Sequence, residues 1–322
     1  MLKMRFLLIA FIIVSGIVAA FQFHTSYVLP IERGLGNNYF SFIMLPDTQG
    51  YSEAYPELFE IQTQWILDNK DTLNVKFISH LGDIVESGAE RDEEWLIASR
   101  SMRLLEGVIP YGILPGNHDI DDVNNPLSAF TQYNTVFPVA RFTHFPWFGG
   151  SFNSYENNYQ LISVDSVDFI FLNLAIDPSD EVLAWGNQIL KQYKDRKAIV
   201  TTHAYLYDDL DMRSDRSYFK KDGNSGENIW NKLIKNNCSV FLVLSGHYHS
   251  TDGENYILSQ NECGKNVHQT VQDYQERDKG GNGWLRIYKY YPEKSVVLVQ
   301  TYSPFLDAYE KDKDSEFILE IN

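Results

Sequence analysis

The chain has few cysteines and no low-complexity stretch. Only two cysteines, Cys238 and Cys263, occur in 322 residues, and their scarcity argues against a zinc site built from thiolates. Sequence alone leaves open whether the two form a disulfide or stay as free thiols. No long Pro, Gly or Ser tract interrupts residues 38–322, and no repeat of solenoid or propeller period occurs. These absences predict one large domain over residues 38–322 without an internal linker.

Motifs of two common hydrolase classes are also missing. The sequence has no Gly-x-Ser-x-Gly elbow and no Gly-x-x-x-x-Gly-Lys phosphate loop, which disfavours a serine-nucleophile hydrolase and a P-loop enzyme. Positive charge is scarce, because 27 Lys and Arg residues stand against 43 Asp and Glu residues and the net charge is -16. This charge opposes the approach of polyanions, so we expect no nucleic acid duplex as a partner.

The N-terminus differs in kind from the rest of the chain. Lys3 and Arg5 precede the apolar run 6–21, and small residues stand at Val18-Ala19-Ala20, a pattern typical of a cleaved signal peptide over residues 1–20. The run is also nearly long enough to span a bilayer, so an uncleaved membrane anchor is the alternative. Both interpretations predict export, to the periplasm, the extracellular space or the outer face of a membrane. A membrane is a partner only if the segment stays uncleaved.

From residue 38 onward, strand-like runs alternate with helical patterns. The order predicts a strand at 39–45, a helix at 57–69, a strand at 75–80, a helix at 93–105 and a strand at 108–114. Such alternation implies a parallel sheet with helical crossovers. Further strands are predicted at 159–164, 169–174, 198–202 and 240–244, with helices at 181–193 and 227–235. The segments 255–259, 268–274, 284–290 and 295–302 then predict successive antiparallel strands.

Polar residues able to bind metals fall at the ends of the predicted strands. They are Asp47, Asp83, Asn117, His203 and His247. In open α/β sheets, ligands bind outside the carboxyl ends of the strands, where loops from distant segments converge. Carboxylate, imidazole and amide oxygen ligands suit divalent cations such as Mn, Fe, Zn or Mg. The sequence therefore predicts a metal site at this edge.

Five short blocks carry these residues in order along the chain. They are Asp47-Thr48-Gln49, Gly82-Asp83-Ile84-Val85-Glu86, Gly116-Asn117-His118-Asp119, Thr202-His203 and Gly246-His247-Tyr248-His249. Together the blocks resemble those of the calcineurin-like metallophosphoesterase superfamily, over about residues 39–302. The resemblance implies a four-layer α/β/β/α sandwich of two mixed sheets. It also implies hydrolysis of phosphoesters by a hydroxide that two divalent metal ions activate.

The resemblance assigns a role to each block residue. Asp83 bridges the two metals, Asp47, Gln49 and His249 complete one of them, and Asn117, His203 and His247 complete the other. His118 matches the position that assists the leaving group or stabilises the phosphoryl oxygens, and Asp119 would orient its imidazole or tune its charge. Many family members have His in place of Gln49, so this is an Asp-x-Gln variant with a neutral and weaker ligand. Glu86 replaces the Tyr of purple acid phosphatases, and we expect no ferric site.

The substrate is open at this point, since the superfamily cleaves phosphomonoesters, phosphodiesters and phosphoproteins. We expect a phosphatase acting on a small phosphoester or a phosphoprotein, with a small-molecule or nucleotide phosphodiesterase as the alternative. A metal-binding or sensor protein with the same fold and no turnover is the remaining alternative. Two loops are candidates for the mouth of the site. The aromatic stretch 141–148 forms either a lid or part of the core, and the charged loop 205–221 either lines the mouth or is plain solvated surface.

Overall fold

The computed structural model describes residues 32–122, 125, 128–220 and 222–321. The helices are α1 (Gln49–Ala54), α2 (Pro56–Asn69), α3 (Asp92–Arg103), α4 (Thr131–Val136), α5 (Asp180–Gln192), α6 (Gly226–Ile229), which continues as a π-turn over Trp230–Ile234, and α7 (Asp278–Gly281). The predicted export segment, 1–20, lies outside the described residues. Among the helices of the described part, none is long and apolar enough to cross a membrane.

The strands form two seven-stranded sheets. Their bounds are β1 (Phe40–Leu45), β2 (Val75–His80), β3 (Tyr111–Ile113), β4 (Phe148–Ser151), β5 (Asn158–Val164), β6 (Val167–Leu174), β7 (Lys197–Thr202), β8 (Val240–Ser245), β9 (Glu254–Gln260), β10 (Asn266–Gln272), β11 (Leu285–Tyr291), β12 (Val296–Ser303), β13 (Ala308–Tyr309) and β14 (Glu316–Glu320). The first sheet has the order β13-β12-β11-β1-β2-β3, with β14 beside β12. The second has the order β4-β5-β6-β7-β8-β10-β9. Both are mixed, because β1, β2 and β3 are parallel in one and β6, β7, β8 and β10 in the other.

The alternation of side chains along the strands produces four layers. In β1, Phe40 and Phe42 belong to a core that also contains Phe169 and Phe171 of β6, so this core lies between the sheets. Ile43, the residue after Phe42, faces the opposite way, into a second core shared with α2 and α3. A third core joins the outer face of the second sheet to α5 and the π-turn. The predicted α/β/β/α sandwich of two mixed sheets is thereby confirmed.

One prediction about strand pairing is wrong. The last four predicted strands do not form a single antiparallel series, because β9 and β10 belong to the second sheet and β11 and β12 to the first. Strand β10 lies antiparallel to β9 but parallel to β8. Period-two hydrophobicity identifies a buried face on a strand and carries no information about the neighbouring strand. The pairing therefore had to come from the tertiary structure.

The boundaries of β3 also differ from the prediction. The sequence predicts a strand from residue 108, whereas β3 begins at Tyr111. Val108 is 50% exposed, and Pro110 has no backbone N–H to donate to a neighbouring strand. The late start of β3 lengthens the connection from α3, which ends at Arg103.

The two cysteines are joined in a disulfide. Cys238 and Cys263 have Cα atoms 5.7 Å apart, and the bridge closes a segment with a sequence separation of 25. It ties the residues just before β8 to the turn between β9 and β10. A cross-link of this kind stabilises a fold by about 2–4 kcal/mol, chiefly by restricting the unfolded chain. The bridge lies at the start of β8 and β10, at the opposite end of these strands from the His247 block.

Candidate metal centre

The site lies where parallel strands from both sheets end. Asp47 follows β1, Asp83 follows β2, Asn117 follows β3, His203 follows β7 directly, and His247 follows β8. Parallel strands present their carboxyl ends at the same edge of a sheet. The two sheets face each other, and loops from five strands therefore meet in one place.

Direct contacts join the half of the site assigned to one metal. The Nε2 atom of His203 lies 3.1 Å from Asp83 Oδ2 and 3.1 Å from Asn117 Oδ1. Ligand atoms of Asp83, His203 and His247 all lie within 4.8 Å of one another. The side chains of Asp83 and His203 are almost fully buried. A compact set of one carboxylate, two imidazoles and a neighbouring amide oxygen fits a divalent cation.

Two glycines of the motif blocks allow the carboxylates to approach the backbone. A Cβ atom added at Gly116 would overlap the carboxylate of Asp83, and one added at Gly246 would overlap that of Asp47. Asp47, Asp83 and His247 themselves have positive φ angles of 22°, 47° and 71°. Such backbone conformations are costly for residues with a Cβ atom and tend to persist at functional sites.

The other half of the site leaves buried oxygen atoms without partners. Asp47 is 2% exposed and Gln49 is 4% exposed, and among the described residues neither Asp47 Oδ2 nor Gln49 Oε1 has a hydrogen-bond partner. The second Asp47 oxygen, Oδ1, accepts a 3.3 Å hydrogen bond from the His247 amide and lies 3.6 Å from His203 Nδ1. Buried polar atoms are nearly always paired. Two buried oxygens without partners at one site are therefore suited to bind a divalent cation.

His249 lies at the rim of the site. Its side chain is 31% exposed, and its Nε2 atom is 2.6 Å from Nε2 of Gln275. Gln275 Oε1 has no partner in the described part. The Gln275 amide N–H donates to Nε2 of His249, and Nδ1 of the same ring lies 3.9 Å from Glu276 Oε1.

The electrostatics show an unbalanced negative charge. Burial raises the pKa of Asp47 well above its usual range, and the charges of Asp273 and Asp83 raise it further. Burial also opposes ionisation of Asp83, but the charge and hydrogen bond of His203 outweigh it and lower the Asp83 pKa. The pKa of His247 is lowered well below its usual range by burial and by the charge of His203. A cation binds neutral imidazole and ionised carboxylate. It would therefore favour the neutral form of His247, and it would supply the countercharge that favours ionised Asp47.

His118 projects at the edge of the cluster with its backbone fixed to it. The His118 amide donates to Asp83 Oδ1 at 2.9 Å. Its ring Nδ1 lies 3.0 Å from the Glu86 carbonyl oxygen and 3.4 Å from Glu86 Oε2. A carbonyl only accepts, so Nδ1 carries a proton and Nε2 is left for a substrate. Although burial opposes it, the charges of Asp83 and Glu86 raise the His118 pKa.

Asp119 plays a different part from the orienting contact predicted for it. Its Oδ1 atom accepts from the amides of Ile84 at 2.9 Å and Val85 at 3.1 Å, and Oδ2 accepts from Gly116 at 2.8 Å. These bonds hold two motif loops together, whereas Glu86 makes the contacts to the imidazole. Asp119 is fully buried, and a compact carboxylate satisfied by backbone amides fixes loop geometry. Its charge still contributes to the raised His118 pKa.

The sequence profile of calcineurin-like phosphoesterases matches residues 40–251. The chain belongs to this family. The Bacillus subtilis (strain 168) protein named "Uncharacterized protein YvnB" is 39% identical over 279 residues, which are 85% of this chain and 20% of that protein. The chain thus spans about a fifth of the length of this curated relative.

Solved structures of two other proteins share the fold. A dimetal phosphatase from Danio rerio aligns with a TM-score of 0.55 at 10% identity, over 88% of this chain and 99% of that one. GAP50, the anchor in the inner membrane complex of Plasmodium, aligns with a TM-score of 0.52 at 11% identity, over 88% of this chain and 89% of that one. At such identities the likeness shows the fold alone. Arguments about chemistry therefore rest on this calcineurin-like chain's own site.

Two residues near the site were missed by the sequence analysis. Asp273 follows β10 directly and is 1% exposed, and no described residue pairs with its Oδ2 atom. Gln275, two residues later, contacts His249. Asp273 shares the signal that identified Asp47, namely a carboxylate just after a buried strand. It was missed because the predicted strand ran over 268–274 and placed Asp273 inside the strand, whereas β10 ends at Gln272.

A buried histidine, His80, contacts the loops of the first two motif blocks. His80 Nε2 lies 2.9 Å from the Thr48 hydroxyl, and its Nδ1 accepts from the Gly82 amide at 3.2 Å. Burial and then the charge of His203 lower its pKa to about 3. A neutral His80 therefore links the Asp47 and Asp83 loops.

The aromatic stretch 141–148 is part of the core and not a lid. Phe142 is fully buried and stacks on Tyr155 with ring centroids 3.8 Å apart. Trp147 lines a cavity with Val75 and Lys76 at the start of β2, whereas Asp83 follows the end of that strand. The lid interpretation is therefore wrong. Aromatic residues of this density usually bury their surface, and these do so at the far end of the sheet.

Proposed function

We propose that this chain hydrolyses phosphoesters with the help of two divalent cations. We also propose that its main activity is that of a phosphatase. The observation that carries the proposal is the unpaired Asp47 Oδ2 and Gln49 Oε1 beside the Asp83, His203 and His247 set. Family membership supports the class of reaction. A small-molecule or nucleotide phosphodiesterase is the alternative outcome of the same chemistry.

The donor set suits two cations of the Mn, Fe, Zn or Mg type. Asp83 would be shared, Asn117, His203 and His247 would complete one position, and Asp47, Gln49 and His249 the other. When bound, the cations supply charge neutralisation at phosphorus and a water with a lowered pKa. Gln49 is a neutral ligand, so the second position is expected to bind its cation more weakly than the first.

The chain's own residues prepare the site for an anionic ester. His118 is placed to act on the ester because Glu86 holds its Nδ1 proton, which leaves Nε2 for a substrate, and because its side chain is 28% exposed. A protonated ring would donate its Nε2 proton to the departing oxygen or hold an equatorial phosphoryl oxygen. Asp119 joins the loops that contain Gly116 and Ile84 by hydrogen bonds to their amides. It would therefore affect the reaction only by holding these loops in position.

The test is a metal-reconstituted activity screen of the full chain. Phosphomonoesters, phosphodiesters and phosphopeptides would each be offered after loading with Mn, Fe, Zn or Mg, with Asp83→Asn as the control for contaminating hydrolases. We expect monoester turnover that requires added metal and is absent from the control. Turnover of diesters alone would favour the alternative. Tight metal binding without turnover of any ester would contradict the enzyme proposal and favour a binding or sensor protein.

Export of the chain is proposed on the N-terminal sequence alone. Cleavage after Val18-Ala19-Ala20 would give a soluble mature protein beginning near Phe21. N-terminal sequencing of the secreted and membrane fractions tests this. Full-length chain confined to membranes would favour the anchor instead.

A further inference from the structure

An exposed tyrosine lies against one of the candidate metal-binding histidines. Tyr218 is 56% exposed, yet its ring centroid is 4.0 Å from that of His247, with the two planes at 72°. Edge-to-face packing of this kind fixes a ring without covering it. Tyr218 therefore presents an open aromatic surface beside the place where an ester phosphate would sit.

Asp177 holds the segment that carries Tyr218. The Oδ1 atom of Asp177 accepts from the Tyr218 amide at 3.0 Å, and Oδ2 accepts from Phe219 at 2.6 Å and Lys220 at 2.8 Å. Asp177 is 1% exposed and has a φ of 49°. A buried carboxylate that binds three consecutive amides is a specific anchor for this segment.

The anchored segment 218–220 also contacts the connection that follows the His118 block. The Lys220 ammonium lies 4.8 Å from the centroid of Phe130, in the connection that follows the His118 block. One end of the segment thus contacts His247 and the other contacts a residue beyond His118. The side of the mouth nearest His247 is also aromatic, because Tyr248 lies 4.7 Å from the same histidine.

We propose that Tyr218 is a specificity residue that contacts a flat, apolar group bonded next to the phosphate, such as the phenyl ring of an aryl ester. Asp177 is its positioning residue. The proposal rests on the proposed phosphoesterase function and deepens it by naming a substrate class. Aromatic side chains bind flat apolar groups by edge and face contacts, and neither a sugar phosphate nor a phosphoserine peptide presents such a group next to phosphorus.

The test compares two ligands that differ only by a ring. Binding of phenylphosphonate and methylphosphonate to the metal-loaded full chain would be measured by titration calorimetry. We expect phenylphosphonate to bind about 3- to 10-fold more tightly, the scale of one aromatic contact. Tyr218→Ala should remove most of this preference and leave methylphosphonate affinity unchanged, while Tyr218→Phe should keep it.

A matched control comes from the same loop. Leu210 is 48% exposed, and Leu210→Ala should keep the preference for phenylphosphonate. Asp177→Asn removes part of the amide anchor, so the preference should fall while methylphosphonate affinity persists. In turnover, the same variant should raise KM for phenyl phosphate more than for glycerol phosphate and leave kcat nearly constant.

The outcomes separate this inference from the proposed function. If both phosphonates bind the wild-type chain equally, or if Tyr218→Ala retains the preference, the role of Tyr218 is overturned and the phosphoesterase proposal stands. If neither phosphonate binds the metal-loaded chain, the phosphoester site itself is overturned and the Tyr218 proposal falls with it.

Discussion

Carboxylates are buried in two parts of the molecule, and the two parts differ in how many partners the carboxylate oxygens have. At the candidate metal centre, Asp47 Oδ2 lacks a partner among the described residues. At Glu254, both oxygens are occupied, because Arg286 and Tyr274 donate to Oε1 and Ser315 donates to Oε2. The first region has a charge that the chain does not balance, and the second has a charge that it balances fully.

The difference separates a site for an external cation from a structural ion pair. Ligand atoms of Glu254, Glu310 and Asp312 also lie within 4.8 Å of one another, which by residue type alone resembles a metal site. However, Arg286 supplies the positive charge at Glu254, and Arg277 supplies it at Glu310 with a distance of 2.6 Å. Proximity of acidic residues is therefore a weaker indicator than a buried oxygen without a partner.

The largest expected effect is that of Asp83→Asn on the first region. The shared carboxylate charge is lost, so metal content and turnover should fall together, turnover by about 10⁴-fold, since the cations supply several kcal/mol of transition-state stabilisation. Elemental analysis and a phosphatase assay on the same preparation measure both. Near-normal turnover in this variant would contradict the two-metal assignment.

His118→Ala should separate chemistry from metal binding. Both metals should stay bound, while turnover falls by about 10² to 10⁴, the scale of losing a positioned proton donor or charge stabiliser. If His118 protonates the leaving group, the loss should be smallest for nitrophenyl phosphate and largest for alkyl esters. A uniform loss indicates stabilisation of the phosphoryl oxygens. Loss of one metal ion would show that His118 is a ligand and that this division of roles is wrong.

Glu254→Gln should instead act on stability. Removing one partner leaves the buried Arg286 guanidinium without its countercharge, and the free energy of unfolding should fall by about 3–5 kcal/mol. Denaturant titration measures the change, and metal content serves as the control because the site should stay intact. The double variant Glu254→Gln with Arg286→Met should recover part of the loss. A loss of metal in the single variant would mean that the two regions are coupled.

The pH dependence of the same variant gives the smallest effect. Burial opposes ionisation of Glu254, but Arg286 and hydrogen bonds outweigh it and lower the pKa from its ordinary value of 4.5. A lowered carboxylate pKa contributes stability above the unfolded pKa, and this contribution disappears as the pH falls below about 4.5 and through the folded pKa. The stability gap between wild type and Glu254→Gln should therefore be constant from neutral pH down to that point and narrow below it. A gap that widens in acid would reverse the sign of this argument.

Much of the metal centre was predictable because its residues obey a local rule. Asp47, Asp83 and His203 each follow a strand whose apolar pattern is clear in the sequence, and parallel strands end at one edge. The ligand roles of all these residues, and those of Gln49, Asn117, His247 and His249, stay predictions. Asp119 shows the limit of this reasoning. Its motif block predicted its position in the site, but only the fold shows the three backbone amides that it binds.

The sequence by itself determined the alternation of strands and helices, the order of the motif blocks and the chemistry of the ligand set, because these depend on residue type and short-range periodicity. The tertiary structure decided which strands are neighbours, and thereby brought Asp273, which follows β10, and Tyr218 of a distant loop to the same site. It also decided that Glu254 has an arginine for its countercharge, whereas no described arginine or lysine pairs with Asp47. Countercharges and strand partners come from residues far apart in the chain, and no local pattern encodes their distance.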